Sequence, residues 1–353
     1  MRYLLALSAI LVMACSAQPS QPGTRPLTPP VGVGPSTAAA SPFQSPASAA
    51  LACRIPVMLS VSAGETPGGW ITFPGGTFQF DPTSIINRGN GSEGISYDRV
   101  LNRWIPADWN HISPDGRRYV VQESYGVLDV IDAATGAKRM VTMPQVNGNW
   151  YAIDFLNTGI YLSLIGGEGP ADPGLWVMNP DSGQVRKLDG TQFWSQVDSR
   201  AAWGVVPGAA TTLLRRLDLQ NGSVTTYLTA PYHRPYQPGD RSLELISLDA
   251  AGRPLVLERD WQQPYPWHLA IVAAPNLPFA VDVPGEWMAG WPIWDNGDPY
   301  QLGRELHGYL LSKGIWMFGR NDFSGLALLG SDGVVRQLTA GPGNIFAIAG
   351  GCH

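Results

Sequence analysis

Aromatic side chains are concentrated between positions 261 and 300, and they are the residues best suited to hold a ligand. Trp and Tyr rings stack on sugar or peptide groups. Neighbouring carboxylates can accept hydrogen bonds from the hydroxyl or amide groups of such a ligand. Proline residues interrupt the same stretch, which favours loops, and loops commonly carry recognition residues. The alternative interpretation is that these rings pack between neighbouring sheets. The predicted ligand-binding residues are Trp261, Tyr265, Trp267, Trp287, Trp291, Trp294, Asp295, Asp298 and Tyr300.

Residues that could bind a metal or catalyse a reaction show no complete motif. Segment 295–298 carries three oxygen-bearing side chains but lacks the spacing and terminal Glu of a calcium loop, so a polar surface loop is the alternative. The sequence contains no G-x-S-x-G, no H-E-x-x-H, no Cys-rich zinc pattern and no Gly-rich phosphate loop. We therefore predict no metal and no cofactor. The histidines are scattered along the chain, at His111, His233, His268, His307 and His353.

The first 15 residues have the features of an export signal. Arg2 supplies a positive start, and residues 3–14 form an apolar run that is too short to span a bilayer. The run ends in the letters VMAC, with Cys15 last, and this resembles a bacterial lipobox. In that family the cysteine is diacylated and becomes the mature N-terminus. The resemblance implies an extracytoplasmic protein anchored to a bacterial membrane through Cys15, whereas a plain signal peptide with a chance cysteine is the alternative.

The segment that follows differs sharply in composition from the remainder of the chain. Residues 16–52 are mostly Pro, Ala, Ser, Gly and Thr, with Arg25 as the one charge. Such a segment buries too little apolar surface to offset the entropy of ordering, so we predict a disordered tether. Cys53 and Cys352 bracket the predicted folded domain, 53–353, in an oxidising compartment. We predict a disulfide between them, with two free buried thiols as the alternative.

Composition limits the classes of function. The 353 residues are 44% hydrophobic and only 14% charged, and the formal net charge is −5 with no basic block. Non-specific nucleic-acid binding through phosphate neutralisation is therefore not expected. The chain contains 41 Gly, 31 Pro, 13 Trp and 12 Tyr, a composition that favours many turns and pleated, half-buried surfaces.

A degenerate repeat runs through the folded part of the chain. Its unit is a strand, a turn rich in Asp, Asn, Gly or Ser, and a second strand, which is the strongest short-range signal for a β-hairpin. Copies occur at 96–105, 130–141, 176–188, 216–228, 269–281 and 328–338. Their spacing of roughly 35–60 residues matches that of four-stranded propeller blades. The turn aspartates are expected to bond the backbone of their own turns rather than bind calcium; they are Asp115, Asp132, Asp181, Asp218, Asp249 and Asp332.

The turn motifs also resemble those of a known group of folds. The SPDG turn at 113–116 and the D-x-x-T/S/N-G hairpins are similar to those of TolB-like, WD-repeat-like and YVTN-type bacterial propellers, over about residues 54–353. The resemblance implies an all-β fold, a β-propeller. The six hairpins, with a first blade shared between the two ends of the domain, predict six blades, with seven as the alternative. Residues 344–349 form an apolar segment with no hairpin after it. We expect this C-terminal strand to join the first blade and close the ring, since closure removes open sheet edges.

Three functions are compatible with these features. The leading hypothesis is a lipid-anchored extracytoplasmic binding module for a protein or a glycan, because a fold signature is present without a catalytic one. The first alternative is an enzyme of the glycan lyase or hydrolase type that uses carboxylate and His residues at the central channel. The second is an envelope assembly or scaffolding factor. The predicted partners are the membrane, through the lipid anchor, and a protein or glycan ligand, with no nucleic acid.

Overall fold

The computed structural model of the chain describes residues 53–59, 67–73, 75–86, 94–124, 126–144, 149–165, 173–233, 237–248, 252–260, 267–277, 281–284, 287–294, 306–317, 320–330, 335–337, 345–351 and 353. All of them belong to one compact unit, Ser45–His353. The predicted signal peptide, lipidation site and tether at 1–52 lie outside these residues and stay predictions.

The described chain is all-β, with two short 3₁₀ turns at Pro82–Ser84 and Trp109–His111. Sheet 1 contains β1 (Cys53–Leu59), β2 (Gly68–Phe73), β3 (Phe78–Phe80) and the C-terminal β25 (Ile345–Ile348). A separate hairpin follows, made of β4 (Ser96–Asp98) and β5 (Arg103–Ile105). Sheet 2 contains β6 (Arg118–Ser124), β7 (Val127–Asp132) and β8 (Lys138–Thr142). Sheet 3 contains β9 (Asn149–Leu156), β10 (Gly159–Ile165), β11 (Leu175–Met178) and β12 (Val185–Asp189).

Three further sheets repeat the four-stranded pattern. Sheet 4 contains β13 (Gln196–Val197), β14 (Ala201–Pro207), β15 (Thr211–Asp218) and β16 (Val224–Pro231). Sheet 5 contains β17 (Arg241–Leu248), β18 (Pro254–Asp260), β19 (Trp267–Ile271) and β20 (Val281–Pro284). Sheet 6 contains β21 (Trp287–Trp294), β22 (Leu306–Met317), β23 (Arg320–Gly330) and β24 (Val335–Gln337). The six predicted hairpins are confirmed as antiparallel strand pairs.

The hydrophobic core lies in layers between consecutive sheets. One layer joins Leu128 and Val130 of sheet 2 to Trp150 and Leu162 of sheet 3. The next layers join sheet 3 to sheet 4 and sheet 4 to sheet 5 in the same way. Sheets 3 and 4 are therefore packed on both faces, because each lies between two of these layers. Stacked meander sheets of this kind are the blades of a β-propeller.

The end of the described chain lies against its beginning. Strand β25 pairs antiparallel with β1, with Ile348 opposite Val57. Beyond that strand, Arg54 and His353 exchange two backbone hydrogen bonds of 2.9 and 2.8 Å. The C-terminal strand thus supplies the edge strand of sheet 1, and the other three strands come from the start of the folded domain.

Turn chemistry explains why the hairpins form where they do. In the turn after β7, Asp132 Oδ1 accepts hydrogen bonds from the backbone N–H groups of Ala134 and Thr135, and Gly136 adopts a φ of 72°. Asp218 makes the same two bonds with the backbone of its own turn, and Asp115 accepts one from Arg117. The predicted role of these three aspartates is confirmed. A positive φ at the fifth position favours Gly because it has no Cβ.

Removing one such turn bond gives a direct test of this role. We expect Asp132→Ala to lower the free energy of unfolding by about 1 kcal/mol, because two backbone N–H groups lose their acceptor. Asp132→Asn keeps the accepting Oδ1 and is the matched control, with near wild-type stability. Equilibrium denaturation in urea measures both. Equal losses in the two variants would show that charge, and not the turn bonds, carries the effect.

Candidate functional site

The predicted aromatic site is only partly within the described residues. Trp261, Tyr265, Asp295, Asp298 and Tyr300 lie outside them. Trp267 is the first residue of β19, and the backbones of Trp287, Trp291 and Trp294 lie in β21. These four tryptophans therefore belong to strands and not to the loops that the proline residues suggested. The prediction that they bind a ligand is not tested by this placement.

The predicted covalent sites lie at or beyond the limits of the described chain. Cys15 and Cys352 are outside it. Cys53 begins β1 and is disulfide-bonded. Its neighbour Arg54 pairs with His353, one residue beyond Cys352 in sequence. The pairing of Cys53 with Cys352 stays a prediction, and the adjacent backbone bonds favour it.

A polar cleft of about 490 Å³ lies between sheets 3 and 4. Its volume falls within the range of small-molecule sites. We call it the arginine cleft, because three arginines and one carboxylate line it. Its walls are Thr158, Tyr161, Val177, Arg186, Ser199, Arg200, Arg216, Asp218, Leu219 and Gln220.

Hairpin turns position the polar groups of the arginine cleft. Ser199 and Arg200 belong to the turn between β13 and β14, which Asp198 Oδ1 holds by accepting from the backbone N–H groups of Arg200 and Ala201. The backbone N–H of Leu219 donates to the carbonyl oxygen of Arg200 at 2.9 Å, which ties this turn to the turn after β15. Two turns of sheet 4 thus form one wall, and sheet 3 forms the other.

The arginines of the cleft differ in how far their charge is neutralised. Arg216 Nη1 donates to Asp218 Oδ2 at 3.3 Å, and both side chains are about one-quarter exposed. The pKa of Asp218 is lowered by hydrogen bonds from the Asn221 and Gln220 backbones and by Arg216, so the carboxylate is ionised at neutral pH. Arg200 lies 4.0 Å from Asp198 and is 61% exposed. Arg186 is exposed and makes no hydrogen bond or ion pair within the described part of the chain.

Neutral hydrogen-bonding groups complete the cleft. The hydroxyls of Thr158 and Tyr161 lie 2.9 Å apart, and Tyr161 is otherwise buried. The Ser199 hydroxyl and the Gln220 amide are exposed on the opposite wall. Such groups can hydrogen-bond to the hydroxyl groups of a ligand, and arginine guanidinium groups can bind carboxylate or phosphate oxygens.

A second group of ionisable residues lies at the first strand of sheet 3. Burial raises the pKa of Asp154 in β9 to about 8; the negative charge of Asp198 acts in the same direction and nearby His111 acts against it. His111 is buried, and its Nε2–H donates to the carbonyl oxygen of Ala152 at 2.9 Å, since a carbonyl can only accept. A carboxylic acid that holds its proton near neutral pH can act as a proton donor.

Sequence reasoning missed both groups of residues. The cleft joins residues from turns that are up to 62 positions apart, and no local motif marks them. Asp154 follows an apolar strand segment, Trp150 to Ile153, and that was the one available signal that its carboxyl would be buried. Two of the histidines make side-chain polar contacts: His111 bonds the Ala152 carbonyl oxygen, and His233 Nδ1 lies 2.6 Å from Asp240 Oδ1.

The geometry places the chain among all-β proteins with β-propeller sheets. Comparison with protein-family models and with curated sequences finds no match. Among solved structures, a Lactobacillus plantarum protein is similar, with a TM-score of 0.50 and 12% sequence identity. The alignment covers 85% of this chain and 98% of the Lactobacillus plantarum chain.

Two further solved structures show weaker likeness. TolB from Acinetobacter baumannii has a TM-score of 0.47 and 13% identity, covering 85% of this chain, which in turn spans 66% of the TolB chain. Oligogalacturonate lyase from Vibrio parahaemolyticus has a TM-score of 0.44 and 13% identity. That alignment covers 78% of this chain and 72% of the lyase chain. At these identities the comparisons describe the fold alone.

Two features common in other classes of protein, a metal-binding cluster and a membrane-spanning helix, are absent from the described residues. Among the described residues, no group of three or more His, Cys, Asp or Glu side chains is arranged to hold a metal ion. The described residues also include no helix with the length and apolar character needed to cross a bilayer.

Proposed function

We propose that this chain is a lipid-anchored, extracytoplasmic β-propeller of six blades that works as a binding module. The blade number is supported by the six sheets that contain three or more strands and by the isolated bridge between Ile112 and Tyr119, which adds a fourth strand position beside β6 in sheet 2. Ring closure is supported by the pairing of β25 with β1. The lipid anchor rests on the lipobox-like end of the signal segment at Cys15.

The observation that carries the binding role is the arginine cleft. A cavity of about 490 Å³ with hydroxyls, an amide and arginines on facing walls offers a ligand both volume and directed polar groups. Turns on a rigid sheet scaffold are common recognition sites because they tolerate sequence change without loss of the core. We therefore place the ligand site between sheets 3 and 4.

A steric block of the cleft tests this function. Ser199 is exposed on the wall of the cleft, so Ser199→Trp fills it with little demand on the core. The full-length protein is screened by thermal shift against neutral sugars, sugar acids, sugar phosphates and short peptides. We expect at least one compound to raise the Tm of the wild type and not that of Ser199→Trp. Ser182→Trp, in a turn outside the cleft, is the control. Stabilisation that survives Ser199→Trp would place the site elsewhere and contradict the proposal.

The enzyme alternative is favoured by one feature, the raised pKa of Asp154, about 8, in the neighbourhood of His111. A propeller lyase or hydrolase needs a proton donor at neutral pH, and burial provides one here. Incubation with acidic and neutral polysaccharides, followed by reducing-end release and ultraviolet absorbance of unsaturated products, tests it. Activity that Asp154→Asn abolishes would support the enzyme. A complete lack of product with all polysaccharides would leave the binding module, or a scaffolding role that co-purification of an envelope complex would reveal.

A further inference from the structure

Two buried side-chain N–H groups between sheets 3 and 4 have no acceptor among the described residues. One is the amide Nε2 of Gln192, a residue that is only 4% exposed. The other is Nε of Arg215, which is buried as an atom. A buried donor without an acceptor destabilises the folded state, so two of them side by side indicate a group that binds there.

Strand register places both donors on the face of sheet 4 that packs against sheet 3. Arg215 in β15 lies opposite Gly204 in β14, so the two residues share a face of the sheet. Leu217 and Ala202, each two residues away on the same strand, belong to the apolar layer between sheets 3 and 4. A Cβ on Gly204 would lie 3.4 Å from Gln192 Nε2, so the Gln192 amide lies over Gly204.

The orientation of the Gln192 amide follows from its contact with Arg215. Arg215 Nη1 donates to Gln192 Oε1 at 3.2 Å. Turning the amide over would set its NH₂ group against the guanidinium, which has donors only. The amide nitrogen is therefore a donor, and the pair presents two N–H groups and one positive charge.

The charge of Arg215 has no carboxylate partner among the described residues, where its polar contact is the neutral Gln192 oxygen. Asp189 is close in sequence but is engaged elsewhere. Its Oδ2 accepts from Trp194 Nε1 at 2.8 Å and from the backbone N–H of Thr191 at 2.9 Å. A guanidinium stays charged at physiological pH. A water molecule would accept its hydrogen bonds without neutralising that charge, whereas an anion does both.

Packing around the two donors is close, which limits the size of a bound group. A Cβ on Gly204 would lie 2.4 Å from the carbonyl oxygen of Phe193, so the chain at 192–194 lies directly on β14. Trp194 is fully buried in the same segment. Sugar acids and organic phosphates need a cavity, whereas chloride is a single atom that can accept several N–H groups. Size and charge therefore fit a small monovalent anion.

We propose that Gln192 and Arg215 bind a small monovalent anion, of the size of chloride, between sheets 3 and 4. The anion accepts the two N–H groups that have no other acceptor and neutralises the guanidinium. It joins the segment that leads into sheet 4 to strand β15, so its binding stabilises the folded protein. The site is separate from the arginine cleft, whose walls include neither residue, and it does not depend on the proposed binding function.

The test compares thermal unfolding of the full-length protein in sodium chloride and in sodium gluconate at equal ionic strength. Gluconate carries the same charge and is too large for the site. We expect the Tm of the wild type to rise by about 2 °C or more with chloride, relative to gluconate, and to level off as the site saturates. Line broadening of the chloride NMR signal measures binding itself.

A variant with its own counter-charge identifies the site. Gln192→Glu keeps the size of the side chain, pairs a carboxylate with Arg215 Nη1 and removes the Nε2 donor. Its Tm should show no difference between the two salts, and its chloride signal should stay narrow. Gln184→Glu makes the same change of charge in an exposed turn of sheet 3 and should respond as the wild type does.

Removal of the positive charge provides a second variant. Arg215→Met should also lose the response to chloride, whereas Arg117→Met, at a position that is 80% exposed, should keep it. If Arg215→Met does not fold, Gln192→Glu decides alone.

Each outcome supports or overturns the proposal. A chloride response in the wild type and in Gln184→Glu, absent from Gln192→Glu, supports it. Equal Tm values in the two salts for the wild type would overturn it, because the two donors then bind water. A response of the same size in Gln192→Glu and Gln184→Glu would also overturn it, because chloride then acts elsewhere on the protein.

Discussion

Cys15→Ala is expected to move the protein from the membrane fraction to the soluble extracytoplasmic fraction, or to leave it as an uncleaved precursor. The lipobox-like letters VMAC predict that the Cys15 thiol carries the lipid, and alanine has no group to acylate. Each buried methylene contributes about 0.8 kcal/mol to anchoring, so losing two or three acyl chains removes essentially all stable attachment. Fractionation after metabolic labelling with a radioactive fatty acid measures both the lipid and the location.

The control for this experiment changes a residue that the lipobox does not require. Ser20→Ala lies in the predicted tether and should leave labelling and fractionation unchanged. If the alanine variant at position 15 stays in the membrane fraction and the wild type takes up no fatty acid, Cys15 is a chance cysteine in a plain signal peptide. The proposed anchor would then be wrong, while the propeller fold would be unaffected.

The hairpins were predictable because their cause is local. Asp132, Asn179 and Asp218 each bond the backbone within three residues, and a Gly follows at the position that needs a positive φ. Five consecutive residues contain that information, so the sequence is enough to locate the turn. The same reasoning named Asp181 as a turn acceptor, and there the structure corrects it. Asn179 accepts the turn bonds, and Asp181 pairs with Arg118 of sheet 2.

The arginine cleft was not predictable because its cause is the register between strands that are distant in sequence. Its walls join Thr158 and Arg186 of sheet 3 to Ser199 of sheet 4, and no short segment of the sequence contains all three. The secondary structure around part of the aromatic cluster was also not predictable from local residues. The prolines near Trp287 and Trp291 suggested loops, yet both residues lie in β21, where Pro292 itself pairs with Tyr309 of β22.

Asp154→Asn is expected to make the protein more stable than the wild type at pH 8, by about 1–3 kcal/mol, and nearly equal to it at pH 4. Burial raises the pKa of the Asp154 carboxyl from an ordinary value of 3.8 to about 8. Asparagine has a similar shape to the protonated acid and cannot ionise, so it avoids the cost of a buried charge. The Asn side-chain oxygen can still accept the backbone hydrogen bond from Phe155.

The sign follows from proton binding in the two states. Between about pH 4 and pH 8 the folded protein keeps a proton on Asp154 that the unfolded chain releases, so the free energy of unfolding falls as pH rises through this window. For one proton the slope is about 1.4 kcal/mol per pH unit while the pH lies between the two pKa values. The half-buried position of Asp154 narrows that window, so the expected difference at pH 8 stays within about 1–3 kcal/mol. Above about pH 8 both states are ionised and the dependence ends.

Urea denaturation at pH 4.5, 6 and 8 separates Asp154 from other titrating groups. Asp181→Asn is the matched control, because Asp181 is 76% exposed and its removal should leave the slope of stability against pH as in the wild type. A flat profile in Asp154→Asn, with the wild-type slope in the control, would show that this carboxyl is protonated in the folded protein at neutral pH. That result would give sheet 3 a proton donor beside His111, as the enzyme alternative requires. An unchanged slope in Asp154→Asn would mean that the Asp154 carboxyl is ionised in the folded protein at neutral pH. The enzyme alternative would then lose the one feature that favours it.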